Sequence, residues 1–310
     1  MQKIKLDVFK SWFGKNLTGK EIDFLITLSF YQNERGLVQG VHYKEMMEEA
    51  EMSVQTFYDC KRSLMEKGVI TSSVMNETGD YDIVINGNDF SAYTQEDYNK
   101  GQVKYLRMNA YLFRDVNFKK LKPKQKLLVM DMYHIQNAGA PRAVQAYRIR
   151  RENFVKKYAN GVNEDGTQRK GLLDVTERTL QKYLKMLKLY FFVGIKDGIY
   201  FFTLRKSFQK KAAEENTEAM SHLLMAACRR NRITDADKQE AEKRAYKKEW
   251  KDILYILLNH RNQIVEKSID VSEIMHKMIE VINVSVLNPR KWKRRLKASL
   301  FAKLLKEAVA

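Results

Sequence analysis

A short helical module occurs twice in this chain, and the two copies carry opposite charge. The first copy opens Leu17-Thr18-Gly19-Lys20-Glu21-Ile22-Asp23-Phe24-Leu25 and runs on to Tyr31-Gln32-Asn33. The second opens Leu121-Lys122-Pro123-Lys124-Gln125-Lys126-Leu127-Leu128-Val129 and runs on to Ile135-Gln136-Asn137. Further along, Ser53-Val54-Gln55-Thr56-Phe57 matches Thr176-Glu177-Arg178-Thr179-Leu180, and Cys60, Leu64 and Val69 fall on Tyr183, Leu187 and Phe192 without a gap. The offset is 104 residues at the first helix and 123 at the third, so the second copy has gained 19 residues between them. A repeat of this kind restricts the fold to tandem small units, each with its own apolar face.

Local signals give each copy the same order of elements. Thr18 with Glu21 three residues on is a capping box opening the first helix. His42 to Glu51 reads as a short second helix. Ser53 caps a third, Val54 to Lys67, which buries Phe57, Cys60, Leu64 and Met65, and Gly68 stops it. Val69 to Met75 and Tyr81 to Ile85 alternate as strands around the turn Asn76 to Asp80. In the second copy, Pro123 suits a first-turn position, Arg150 to Tyr158 is the second helix, and Thr176 caps the third, which runs to about Leu189. Tyr190 to Ile195 and Ile199 to Leu204 form a hairpin whose Asp197-Gly198 tip favours a tight primed turn. Helix, helix, turn, helix, hairpin is the order of a winged helix-turn-helix. The expected fold is therefore mainly α with small β-hairpin wings: two tandem winged-helix domains plus a C-terminal helical domain. The boundaries are 1–90 for the acidic first unit, 91–208 for the linker and the basic second unit, and 209–310 for the helical remainder, with residues 86–104 reading as the linker between the units. That remainder reads as helices over 210–230, 235–260, 271–284 and 289–309.

The net charge of +18 is unevenly spread. Residues 1–100 hold 11 Lys/Arg against 16 Asp/Glu, a net of −5; residues 101–208 hold 23 against 8, a net of +15; residues 209–310 hold 22 against 14, a net of +8. So strong a field on one module attracts a polyanion, and double-stranded DNA is the expected partner. In a helix-turn-helix the start of the third helix enters the major groove. The groove-facing positions in the second copy are Glu177, Arg178, Gln181, Lys182 and Lys185. Arg bonds guanine through two donors and Gln bonds adenine in the same way. Thr176 and Thr179 suit phosphates, as do Lys196 on the wing tip, Arg205 and Lys206. Arg148, Arg150, Arg151, Lys156 and Lys157 form a basic stretch at the start of the second helix, placed for backbone contacts. The first copy offers Gln55, Thr56, Tyr58, Asp59 and Arg62, but Glu45, Glu48, Glu49, Glu51, Glu77, Asp80 and Asp82 would repel phosphates. It reads either as a dimerisation or partner module, or as a unit touching DNA through a few uncharged bonds. The terminal helix carries eight basic residues between Arg290 and Lys306 beside the stripe Trp292, Leu296, Leu300, Phe301 and Leu304. Such a helix can dock on the protein, line DNA phosphates or lie on a membrane.

Enzyme chemistry has little to stand on. Gly161-Val162-Asn163-Glu164-Asp165-Gly166 has phosphate-loop glycine spacing, but Thr167-Gln168 follows where Lys-Ser or Lys-Thr is needed. The histidines, His42, His134, His222, His260 and His276, form no ligand pattern, and the two cysteines, Cys60 and Cys228, have no CxxC spacing. No enzyme activity and no cofactor or metal is expected. No apolar run marks a signal or a membrane span, so a cytoplasmic location, associated with nucleoid or plasmid, is expected.

Over residues 15–208, two unequal winged helices in a small basic chain resemble the replication initiators of plasmids and phages. That resemblance implies one unit supporting a homodimer or larger assembly on DNA. The other unit binds repeated origin sites, here through Arg178, Gln181 and Lys182. The resemblance does not extend to 209–310, which is expected either to recruit a replication or transcription partner or to add backbone contacts. A transcription regulator with the same reading helix, a helicase loader and a protein-binding scaffold are the alternatives.

Overall fold

A computed structural model describes residues 2–77, 79–137, 146–163, 165–208, 222, 226, 251–253, 255–257, 259–260, 263 and 298–309. The first unit runs β1 (Lys3–Lys5), α1 (Leu6–Ser11), a short 3-10 turn (Trp12–Gly14), α2 (Gly19–Tyr31), β2 (Leu37–Val41), α3 (Tyr43–Glu49), α4 (Val54–Glu66), β3 (Ile70–Ser72) and β4 (Tyr81–Ile85). A connecting stretch carries α5 (Gln95–Asn99), β5 (Tyr105–Arg107), α6 (Ala110–Phe113) and α7 (Val116–Lys119). The second unit runs α8 (Pro123–Asn137), β6 (Tyr147–Arg150), α9 (Arg151–Tyr158), the small hairpin β7 (Gly161–Val162) and β8 (Gln168–Arg169), α10 (Glu177–Leu187), β9 (Phe191–Lys196) and β10 (Ile199–Leu204).

The two units are built alike. In each, the strand between the first two helices joins the later hairpin in a three-stranded antiparallel sheet, ordered β2-β4-β3 in the first and β6-β10-β9 in the second. Capping chemistry sets the helices as the residues require. Thr18 and Glu21 form both halves of a capping box on α2, Ser53 caps α4, and Thr176 accepts from the Thr179 amide to cap α10. Asp197 and Gly198 both have positive φ, 50° and 71°, which makes the β9–β10 connection a tight primed turn.

The expected fold class is corrected. A mainly α chain with hairpins as small wings on two winged-helix domains does not describe this molecule, which is mixed α/β. Among the described residues ten strands form four antiparallel sheets. The strands missed in the sequence are the physical reason. β2 is interrupted by Gly40, with φ of 69°, so its pairing with β4 shifts register and its alternation is broken. β6 alternates cleanly as Tyr147-Arg148-Ile149-Arg150, yet its arginines run straight into α9 and read as the start of that helix. β1 and β5 pair across 100–104 residues, a contact that no local pattern announces.

The stretch 86–104 is tied down rather than hanging between units. The buried Asn88 accepts from the Lys5 amide at 2.7 Å and donates to Gln32 Oε1 at 2.6 Å. One continuous apolar core then runs from Ile4 through both units to Leu204. The equivalent helices α2 and α8 pack together, and there Lys126 Nζ meets Asp23 Oδ1 at 2.5 Å with side chains only 1% and 3% exposed. Burial pushes the Lys126 ammonium down and the Asp23 carboxyl up, each against the attraction of the other. Of the helices expected beyond residue 208, those over 210–230, 235–260 and 271–284 lie largely or wholly outside the described residues. The last is described over Ala298–Val309, as a helix that buries Ala298, Phe301 and Leu305.

Candidate nucleic-acid interface

The helix α10 is strongly two-sided. Leu180, Tyr183, Leu184 and Leu187 are buried on one side, at the 3–4 residue spacing of a packed helix. Arg178, Lys182 and Lys185 are exposed on the other. Glu177, beside them, pairs with Arg151 at 3.5 Å, which links the start of α10 to the start of α9. Both partners are exposed, so solvent screens the pair and it orients more than it stabilises. Thr176 is occupied as the cap, and its hydroxyl lies 3.0 Å from that of Thr179. Gln181 is only half-exposed, and its Nε2 is buried without a hydrogen-bond partner. The structure therefore brings Arg178, Lys182 and Lys185 together as an outward face and turns the Gln181 amide nitrogen away from it.

The segment before α10 is held by a close approach. A Cβ on Gly171 would lie 2.4 Å from the Ala159 carbonyl carbon and oxygen. Leu172 and Leu173 donate to the carbonyls of Lys157 and Tyr158, and Asn160 donates to that of Val175. The glycine of this loop thus lets it pack against the end of α9 just before α10.

The basic stretch of the second unit divides. Arg148 and Arg150 stand on β6, not on the second helix; both are exposed, as are Arg151 and Lys156 on α9. Lys157 is drawn inward: its Nζ bonds Asp131 Oδ2 at 2.7 Å, and the buried Tyr158 hydroxyl donates to the same oxygen at 2.6 Å. That carboxylate ties α8 to α9, so Lys157 has a structural partner. Lys196 is exposed at the end of β9. Arg205 Nε donates to the Lys188 carbonyl, and its guanidinium sits 4.7 Å from the Phe192 ring centre.

The first unit's candidates sit differently. On α4, Gln55 donates to Asp59 Oδ1 at 2.9 Å, Thr56 is engaged with the Ser53 cap at 2.8 Å, and Arg62 is exposed. Much of the acidic charge on and after α3 is used within the chain. Glu49 pairs with Arg114 at 3.2 Å, Glu51 with Lys119 at 2.9 Å and Glu45 with His222 at 3.0 Å. The His222 ring also stacks on Tyr31 at 4.5 Å. These partners come from the connecting stretch and from beyond residue 208, and no local pattern pointed to them.

Among the described residues no group of His, Cys, Asp and Glu side chains is placed to hold a metal. No helix among them is long and apolar enough to cross a membrane. Comparison with protein-family models, curated proteins and solved structures returns no match.

Proposed function

We propose that this protein binds double-stranded DNA in a sequence-specific manner through the exposed face of α10. The observation that carries the reading is the coincidence of two things. The net +15 lies over residues 101–208, and within them a capped helix presents Arg178, Lys182 and Lys185 outward. A cationic field supplies affinity for any duplex, while a guanidinium at the start of a helix supplies discrimination between base edges. Arg148, Arg150, Arg151, Lys156 and Lys196 flank that face as phosphate contacts. The first unit acts as support: Glu45, Glu49 and Glu51 are engaged within the chain, and it docks on the second through α2 and α8. The biological role we propose is that of an initiator of the plasmid or phage kind, assembling as a dimer or larger complex on repeated sites.

Selection of genomic fragments by the purified full-length chain tests this. Enrichment of clustered direct repeats beside an AT-rich tract is the expected result. Enrichment of single palindromes at promoters would replace the initiator role with that of a regulator. Absence of any enrichment at low salt would overturn duplex recognition itself.

A further inference from the structure

The sheet β6-β10-β9 has two unlike faces. Tyr200, Phe202 and Leu204 on β10 and Phe191 on β9 are buried toward the core. The register then assigns the outward positions. Arg148 stands beside Phe201 and Gly194; Arg150 beside Ile199 and Lys196; Thr203 beside Phe192. Among the described residues of these three strands, the outward positions hold three cations and two phenylalanines and no carboxylate. Phe192, on the edge strand β9, is 57% exposed. Gly194 leaves open space next to Phe201, because a Cβ there would meet only the Phe201 Cβ, at 3.9 Å. Each ring is also held beside a guanidinium: Arg205 lies 4.7 Å from the centre of Phe192 and Arg148 lies 5.6 Å from that of Phe201.

We propose that this outward face is a stacking platform for the unpaired bases of single-stranded DNA. The exposed Phe192 ring and the half-buried Phe201 ring, on neighbouring strands and set diagonally at roughly 7–8 Å, suit successive bases of an extended strand. Arg148, Arg150 and Lys196 line the same face for the phosphates between them. A duplex cannot use the rings, since its bases are already stacked on one another; an unpaired strand offers every base's π-face. A purely apolar partner surface would leave three cations desolvated, so charge complementarity favours a polyanion. Arg148, Arg150 and Lys196 are shared with the duplex reading; Phe192 and Phe201 are not, so the ring variants separate the two.

The test is fluorescence anisotropy of a labelled oligothymidylate with the full-length protein. Phe192→Ala/Phe201→Ala should weaken oligothymidylate binding by at least about tenfold and leave duplex affinity within about twofold. Phe192→Leu/Phe201→Leu keeps the apolar bulk and removes the rings, so it should fail in the same way even if the alanine variant folds poorly. Phe192→Tyr/Phe201→Tyr should retain binding. Unchanged oligothymidylate affinity in the leucine variant overturns the proposal. So does a loss of self-association in that variant without a loss of oligothymidylate binding, which would make the face an interface between copies. Failure of the duplex reading has a separate signature, namely duplex binding that does not respond to Arg178→Ala.

Discussion

Glu21 acts locally and at long range through one carboxylate. It accepts from the Thr18 amide at 2.6 Å as the return half of the capping box, and both its oxygens lie 2.8 Å from Lys67 Nζ. It is only 2% exposed. Burial alone would raise the carboxyl; the bonds from Lys67, Ser63 and Thr18 outweigh it and hold the carboxyl below its ordinary range. A depressed acid contributes stability above its unfolded pKa and loses it as pH falls through the folded value. Glu21→Gln should therefore cost about 1–3 kcal/mol near neutrality and flatten the loss of stability on acidification below the ordinary glutamate range. Urea unfolding across acid pH measures this, and an unchanged acid limb would remove Glu21 from the account. The box was legible because its two halves are three residues apart. Lys67 was not, because 46 residues separate it from Glu21.

The helix α10 and the strands around it mark how far local patterns reach. The helix was readable from its cap and from Leu180, Tyr183, Leu184 and Leu187, and the β9–β10 turn from Asp197-Gly198. β2 and β6 were not. Short strands earn their pairing from a partner far along the chain, so Gly40 in one and the run of arginines in the other were enough to hide them. Gln181 illustrates the same limit in the candidate site: helical spacing placed it outward, but its depth beside the core depends on neighbours that spacing cannot supply. What positions α10 is the loop before it, where Gly171 lies against the Ala159 backbone. Gly171→Ala should destabilise by about 1–3 kcal/mol, because backbone must give way, and should weaken duplex binding by moving the Thr176 cap. Thermal melting with duplex titration checks both. A variant as stable as the parent would mean that the loop relaxes without cost.

Across the whole molecule, the acidic charge of the first unit is partly spent on cations of the connecting stretch and of the second unit. Arg114 and Lys119 meet Glu49 and Glu51, and Lys126 meets Asp23 in the packed seam between α2 and α8. The charge asymmetry was plain in the sequence; its internal use was not, because ion pairs between distant segments leave no periodic trace. Lys126→Met should cost about 3–5 kcal/mol, since Asp23 would stay buried without its cation, and adding Asp23→Leu should recover most of the loss. A double-mutant cycle by urea unfolding decides this. Additive costs would show that the pair does not couple the units.

The most direct test of DNA reading by α10 is the affinity of wild type and Arg178→Ala for an enriched duplex and a random duplex over a range of salt. Wild type should show log affinity falling linearly with log salt on both duplexes. Arg178→Ala should lose about 1–3 kcal/mol on the enriched duplex and far less on the random one. Equal losses on both, or affinity indifferent to salt, would contradict the assignment of α10 as the reading helix.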